Sequence, residues 1–541
     1  MALRQLLSNG GVDGHDAGMV GYDAVVVGSG HNALIAAAYL ARAGWGVLVL
    51  EGNDRPGGLV RTDELTLPGF RHDTFSSAHP LFVAGPAYAD LRAELDLEYL
   101  NTRYPTGVSL PDGGSSVVST DLDENIVEAN RLAVGDGDAL GELFKEFGPA
   151  MDTVFALCSA DLTTPSSAAA IQSLMHTSDG GFSDFAHMFT LSARHLLEQR
   201  FRSPVLRAML APWATHLGRA VDDANSGTWT VLVLAALTMV GMPIPKGGSE
   251  ELVKALVKLI EANGGEVRCG QWVKHVLVEG GHAVGVRTGD GDVIHARRAV
   301  VASVNPDQLY LRLLDHEHGA TPPALRKQAK DYRYGLGAFQ LHLALSGPAR
   351  FHDERLAQVG RPHLTGGLNA ISRATNEALR GLLPVEPTIS WDTPSTLDPS
   401  RCPPGRAVAR LQMLEVPAIV HGDAAGEIPI GEHGWTEDVK NRFADRIIDE
   451  AAQHIPNLKD IILDRHMISP RELAAFNPNC GPGDPFGGSH DLAQSYMFSP
   501  LPGQPSHRTV VPNLYMLGAA TWPGHGITGG SGYIVARELL D

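Results

Sequence analysis

Six residues near the amino terminus, Gly28-Ser29-Gly30-His31-Asn32-Ala33, have the spacing with which a backbone holds a pyrophosphate. Gly28 permits a tight turn, Gly30 removes the Cβ that would keep phosphate oxygens away, and Ala33 is small enough for a helix to pack closely on a strand. Glu51, followed by Gly52, is placed to accept hydrogen bonds from a ribose hydroxyl and to disfavour a 2′-phosphate. A second glycine pair, Gly57-Gly58, follows Arg55 and precedes Leu59, which suggests backbone running close to the middle of a bound dinucleotide. Near the other end, Gly518 and the turn Gly526-Ile527-Thr528 precede a closing helix. His525 lies in that turn, and His79 lies in Phe75-Ser76-Ser77-Ala78-His79-Pro80; both are of the type that exchanges protons near neutrality. The remaining 21 of the 23 histidines, and the four separated cysteines, show no metal-ligand spacing, and no Gly-x-Ser-x-Gly elbow is present.

The elements that must position these residues are legible around them. Tyr22–Val27 reads as a buried strand, Ala33–Ala43 as a helix stopped at Gly44, and Gly46–Leu50 as a second strand ending at Glu51. That is one βαβ unit with parallel strands. After Met242–Gly248, Ser249 is expected to cap a helix with Leu252, Leu256, Leu259 and Ile260 on one face. A strand at Glu266–Arg268, a hairpin of Val273–Val278 with Ala283–Thr288, and a buried strand at Ala299–Ala302 follow, and Asn513–Gly518 is a last strand. Residues 101–241 and 311–504 differ in texture. There Phe339–Leu345 alternates with period two, predicting an antiparallel sheet half exposed to a cavity or to solvent.

The fold class is therefore α/β: a Rossmann-like dinucleotide-binding domain with an inserted α+β substrate domain, its sheet mixed or antiparallel. The expected division is a flexible tail over 1–20, a discontinuous nucleotide domain over 21–100, 242–310 and 505–541, and a substrate domain over 101–241 and 311–504. A chain of 541 residues is too long for one core. A net charge of −18, from 43 Lys plus Arg against 61 Asp plus Glu, opposes nucleic acid and anionic lipid headgroups. Cysteine usage and the absence of a signal-peptide pattern point to a cytoplasmic setting. The most apolar run, Val231–Gly241, is too short to span a bilayer. It is expected as a buried helix, a tunnel wall or a lipid-dipping surface, the last allowing peripheral membrane contact.

Arg55-Pro56-Gly57-Gly58-Leu59-Val60-Arg61-Thr62 resembles the R-x-G-G-R-x-x-T motif of the amine oxidase and phytoene desaturase flavoprotein superfamily, with Leu59 in place of the second arginine and Arg61 two positions on. Pro523–Gly530, Pro245-Lys246-Gly247-Gly248, Pro394–Ser400 and Gly487–His490 with Gln494 extend the resemblance from Tyr22 to Leu540. It is nearest to phytoene dehydrogenase-like proteins and their pyridine nucleotide-disulfide oxidoreductase domain-containing relatives. The resemblance implies FAD as cofactor. By the same resemblance, Val273 backbone meets the adenine, the amides of Gly526, Ile527 and Thr528 face the pyrimidine end of the flavin, and His79 and His525 lie near the ring.

No second nucleotide fingerprint and no redox CxxxxC is present, so the electrons are expected to leave for oxygen, a quinone or another acceptor. A pyridine nucleotide bound without a fingerprint is the alternative. The leading reading is a dehydrogenase or desaturase of an apolar, carotenoid- or isoprenoid-like substrate. An amine oxidase-like enzyme or a redox-neutral polyene isomerase on the same fold competes with it, as does a non-catalytic FAD-binding or partner-binding protein. Oligomeric state is not legible.

Overall fold

Alternate residues of Tyr22–Val27 pack to opposite sides of a sheet, Ala24 and Val26 into one core and Val25 and Val27 into another. The strand is therefore covered on both faces, which is why its sequence is a continuous apolar run. The computed structural model describes residues 21–176, 180–316 and 319–541; the segment expected as a tail lies outside them.

In chain order, β1 (Tyr22–Val27), α1 (His31–Arg42) and β2 (Val47–Leu50) form the expected unit. The chain then makes β3 (Thr106–Ser109), β4 (Ser115–Val118) and a set of helices that ends in α2 (Ser226–Val240). It returns through α3 (Glu250–Ala262), β5 (Glu266–Arg268), β6 (Val273–Glu279), β7 (His282–Thr288) and β8 (Val293–Ala302). A second excursion supplies β9 (Gly337–Leu345), β10 (Arg361–Leu364), β11 (Ile389–Asp392), β12 (Ala407–Val416) and β13 (Ile462–Ile468). The last return is β14 (Leu514–Met516) and α4 (Gly530–Leu540).

Two seven-stranded sheets result. The first runs β6-β7-β8-β1-β2-β5, with β14 also on β8; β5, β2, β1, β8 and β14 are mutually parallel. The long β8 joins both parts, pairing antiparallel with β7 through its first residues and parallel with β1 through Ala296–Ala302. The second sheet runs β13-β9-β12-β11-β10-β3-β4 and is antiparallel except where β10 meets β3.

All nine residues of β9 are buried. Its odd-numbered residues, Phe339, Leu341, Leu343 and Leu345, join Trp391, Leu411 and Phe443 in a core. Its opposite face carries Gln340 and His342, in register with Gln412 and Arg410. The alternation thus marks a polar face turned inward, not one in contact with solvent. α2 is buried along most of its length, and no helix among the described residues is long and apolar enough to cross a membrane.

One expectation about local structure is corrected. Ser249 stands at the amino end of α3, but its side chain makes no capping bond. Its Oγ lies 2.7 Å from His79 Nε2, and Thr62 Oγ1 accepts the Glu250 N–H at 3.2 Å in its place.

Candidate active site

The turn after β1 is held from below by Glu51. One carboxylate oxygen accepts the Ser29 N–H at 3.0 Å and also the Ser29 hydroxyl, while the other accepts the Asn53 N–H at 2.8 Å. Ser29 in turn accepts the Gly57 N–H on both Oγ and the carbonyl oxygen, each at 3.1 Å. Gly28, Glu51 and Gly57, expected separately to face one ligand, are thus tied together through Ser29. Gly57 has φ +120°, and a Cβ there would stand 2.6 Å from the Val60 carbonyl oxygen, so the position requires glycine.

α1 begins directly at this turn with no side-chain cap and no acidic residue in its first turn. Its positive end is therefore left for a ligand's negative charge. The same place is closed from the far end of the chain. Asn32 Oδ1 accepts the Gly532 N–H at 3.2 Å, and α4 lies so close that a Cβ on Gly532 would stand 2.1 Å from the Asn32 carbonyl oxygen.

A cavity of about 560 Å³ runs from this turn to the inner face of the second sheet. Its volume is within the range of cofactor and small-molecule sites. At one end it is lined by Gly28, Ser29, Gly30, His31, Asn32, Glu51, Gly52, Gly58, Leu59 and Val273. Gly518, His525, Gly526 and Ile527 line it from the carboxy-terminal segment. At the other end stand Trp213, His216, Leu237 and Met242 opposite Gln340, Arg361, Arg410 and Gln412. A glycine cradle, an uncapped helix start and a buried acidic residue after β2 fit the adenosine-diphosphate part of FAD. These residues would hold it, and bound FAD would supply a hydride acceptor.

Five of the residues expected at the site do not line this cavity. Ala33 is buried inside the α1 core, and Gly57 acts through its bond to Ser29. Arg55 is turned away, Nη1 to Glu250 at 3.2 Å and Nη2 to Asp63. Arg61, the nearest arginine to Leu59, bonds Asp63 and lies over the Phe476 ring, so it offers no phosphate contact in its place. Leu59 packs instead with Phe75, Ile468 and Leu473. Thr528 lines a smaller neighbouring cavity of about 130 Å³. His79 is fully buried with both ring nitrogens occupied, Nε2 by Ser249 and Nδ1 by Tyr99 at 2.9 Å. Burial pushes its pKa down to about 3, so it is a neutral brace between the segment before it and α3.

His525 lines both cavities, with Nδ1 2.7 Å from His490 Nε2. Burial lowers its pKa to about 4, and the same cause holds His31 at about 4 and His216 well below the ordinary histidine value. The imidazoles around the cavity are therefore neutral at physiological pH.

The charged wall formed by Arg361 and Arg410 was not anticipated. Asp392 is shared by both: Arg361 Nε donates to it at 2.7 Å and Arg410 Nε at 2.9 Å. Arg361 also bonds Ser77 Oγ at 2.9 Å, and Arg410 bonds the Phe75 carbonyl oxygen. The alternation that marks β9 continues in Arg410 and Gln412 of β12, and was the one signal by which the sequence could have shown this wall.

This fold and site define a FAD-dependent oxidoreductase. The chain belongs to the flavin-containing amine oxidoreductase family, whose description matches residues 34–438. It is 27% identical over 564 residues to pyridine nucleotide-disulfide oxidoreductase domain-containing protein 2 of Mus musculus, covering 96% of this chain and 94% of that one. It is also 27% identical to a component of the limonene dehydrogenase of Castellaniella defragrans, over 96% of this chain and 94% of that one. An oxidoreductase from Methanosarcina mazei shares the fold with a TM-score of 0.60 at 16% identity, over 95% of this chain and 99% of that one.

Proposed function

We propose that the protein is a dehydrogenase or desaturase that removes hydride from a substrate with an isoprenoid-like hydrocarbon body. The observation that carries this reading is one continuous cavity in which the dinucleotide-binding turns give way to an apolar wall of Trp213, Val233, Leu237 and Met242. The relative whose name specifies limonene, a hydrocarbon, supports it. An amine-oxidising reading is disfavoured by charge: the charged side chains lining the cavity opposite the apolar wall are both cations, Arg361 and Arg410, which repel an ammonium substrate.

In this reading the chain's own residues bind and orient the substrate and exclude water. Gly28–Asn32, Glu51, Gly58, Val273 and Gly526–Ile527 hold the cofactor, and His525 is the group best placed to move a proton. The electron acceptor is oxygen, a quinone or another acceptor. The division into a nucleotide domain (21–100, 242–310, 505–541) and a substrate domain (101–241, 311–504) is proposed with it, as are a cytoplasmic location and peripheral membrane contact for loading an apolar substrate.

The test is an anaerobic screen of the flavin-loaded protein in which polyenes, monoterpenes, amines and alcohols are compared for bleaching of the flavin absorbance. Bleaching by isoprenoid hydrocarbons or their oxygenated derivatives is expected. Bleaching by amines alone, or purified protein that neither carries FAD nor is stabilised by it, sinks the reading.

A further inference from the structure

We propose that the substrate of this cavity is amphipathic, and that Arg361 and Arg410 form a subsite for a carboxylate on its hydrocarbon body. The inference rests on the reading of the cavity as a flavin-facing substrate site.

Arg410 is 3% exposed and Arg361 is 9% exposed, and both line the cavity. Two guanidinium groups share the single carboxylate of Asp392, which leaves an excess of one positive charge on this wall. Behind it, Arg401 is paired with Asp73 and Asp398, an excess of one negative charge, but none of those three lines the cavity. The surface that a ligand meets is therefore cationic. The three arginines and three aspartates balance overall, with Asp73 acting on Arg410 from behind, and it is the positive side of the cluster that is turned to the cavity.

Arg361 uses Nε and Nη2 on Asp392 and Ser77, and Nη1 has no hydrogen-bond acceptor among the described residues. The Nη1 donors of Arg361 offer a charge-assisted hydrogen bond to a carboxylate oxygen. Facing them, Val233, Ala236, Leu237 and Met242 offer nothing polar, so the body of the ligand must be hydrocarbon. A pure hydrocarbon would leave the arginine donors unpaired, and an alcohol would accept from them without bringing the opposite charge.

The test uses flavin-loaded protein and three probes of equal chain length: decanoate, decanol and decane. Binding is read from the perturbation of the flavin absorbance and from the melting temperature. Decanoate is expected to bind at least roughly tenfold more tightly than decanol, as a charge-assisted hydrogen bond warrants. Arg361→Gln should erase that preference while leaving decanol binding within about threefold. Arg361→Lys, which keeps the charge but loses the guanidinium fork, should restore part of the preference. Equal affinities for acid and alcohol, or a preference that survives Arg361→Gln, overturns the subsite. So does loss of FAD from Arg361→Gln with FAD retained by the parent, because the arginine then holds the cofactor. Failure of the parent to carry FAD would instead refute the flavin site itself.

Discussion

His525 Nε2 lies 3.1 Å from the carbonyl oxygen of His216. A carbonyl only accepts, so the His525 proton is on Nε2 and its Nδ1 is the bare nitrogen that accepts the N–H of His490. His525, the one described histidine that touches both cavities, thereby has both nitrogens engaged, with His490 on Nδ1.

His525→Leu is expected to slow anaerobic flavin reduction by roughly tenfold or more, within the range of a lost proton-transfer group, while FAD content is unchanged. His490→Leu removes a donor that favours the neutral form of His525. The acid limb of the pH–rate profile should then move upward from its position near the His525 value of about 4. Stopped-flow reduction across pH 4–8 checks both, and an unmoved limb would leave His490 a packing residue.

Glu51→Gln replaces an acceptor-only group with one that has a single oxygen for three donors. Whichever way the amide turns, its NH2 faces the Ser29 or the Asn53 N–H. A cost of roughly 1–3 kcal/mol is expected, seen as a ten- to hundredfold weaker retention of FAD in a fluorescence release assay.

Gly532→Ala inserts a methyl group against the Asn32 carbonyl oxygen and must push α4 off α1. Overpacking of this kind costs roughly 1–3 kcal/mol, and the melting temperature should fall both with and without FAD. Gly148→Ala is the matched control. It lies in the helix Asp136–Leu157 with nothing within 4 Å of the added carbon, and should be neutral or stabilising by up to about 1 kcal/mol.

Stability is expected to fall as pH drops from 7 to 5. His31, His79, His216, His363, His490 and His525 are all held below the ordinary histidine value by burial. Between pH 6.5 and about 4 the unfolded chain binds protons that the folded chain does not, so acid favours unfolding in that window. Glu415 and Asp484, raised by burial to about 7, act in the opposite sense but are fewer. A melting temperature that rises on acidification would contradict this balance.

The nucleotide half of the molecule was legible because its determinants are local. A strand, a glycine turn, a helix and an acidic residue within thirty positions carry their own geometry, and the hairpin of β6 and β7 was fixed by Gly280-Gly281 in the same way. The far wall was not, because it is written across strands. Arg410 meets Asp392 only through the register of β11 on β12, and Arg361 joins them from β10. The same limit applies to side chains that change partners. Ser249 sits at a helix start, as its type suggests, yet bonds His79, which lies 170 positions away. His490 gave no signal apart from its place in a glycine-rich motif, since its partner arrives from the last turn of the chain.

The joining of Asn32 to Gly532 spans 500 positions, and this sets an order of events during synthesis. At ribosomal speeds the turn that cradles the phosphates emerges roughly 25 to 100 s before the segment that closes it. The cofactor therefore has no finished pocket to enter while the chain is being made. Flavin supply in the cell then governs how many completed chains become enzyme.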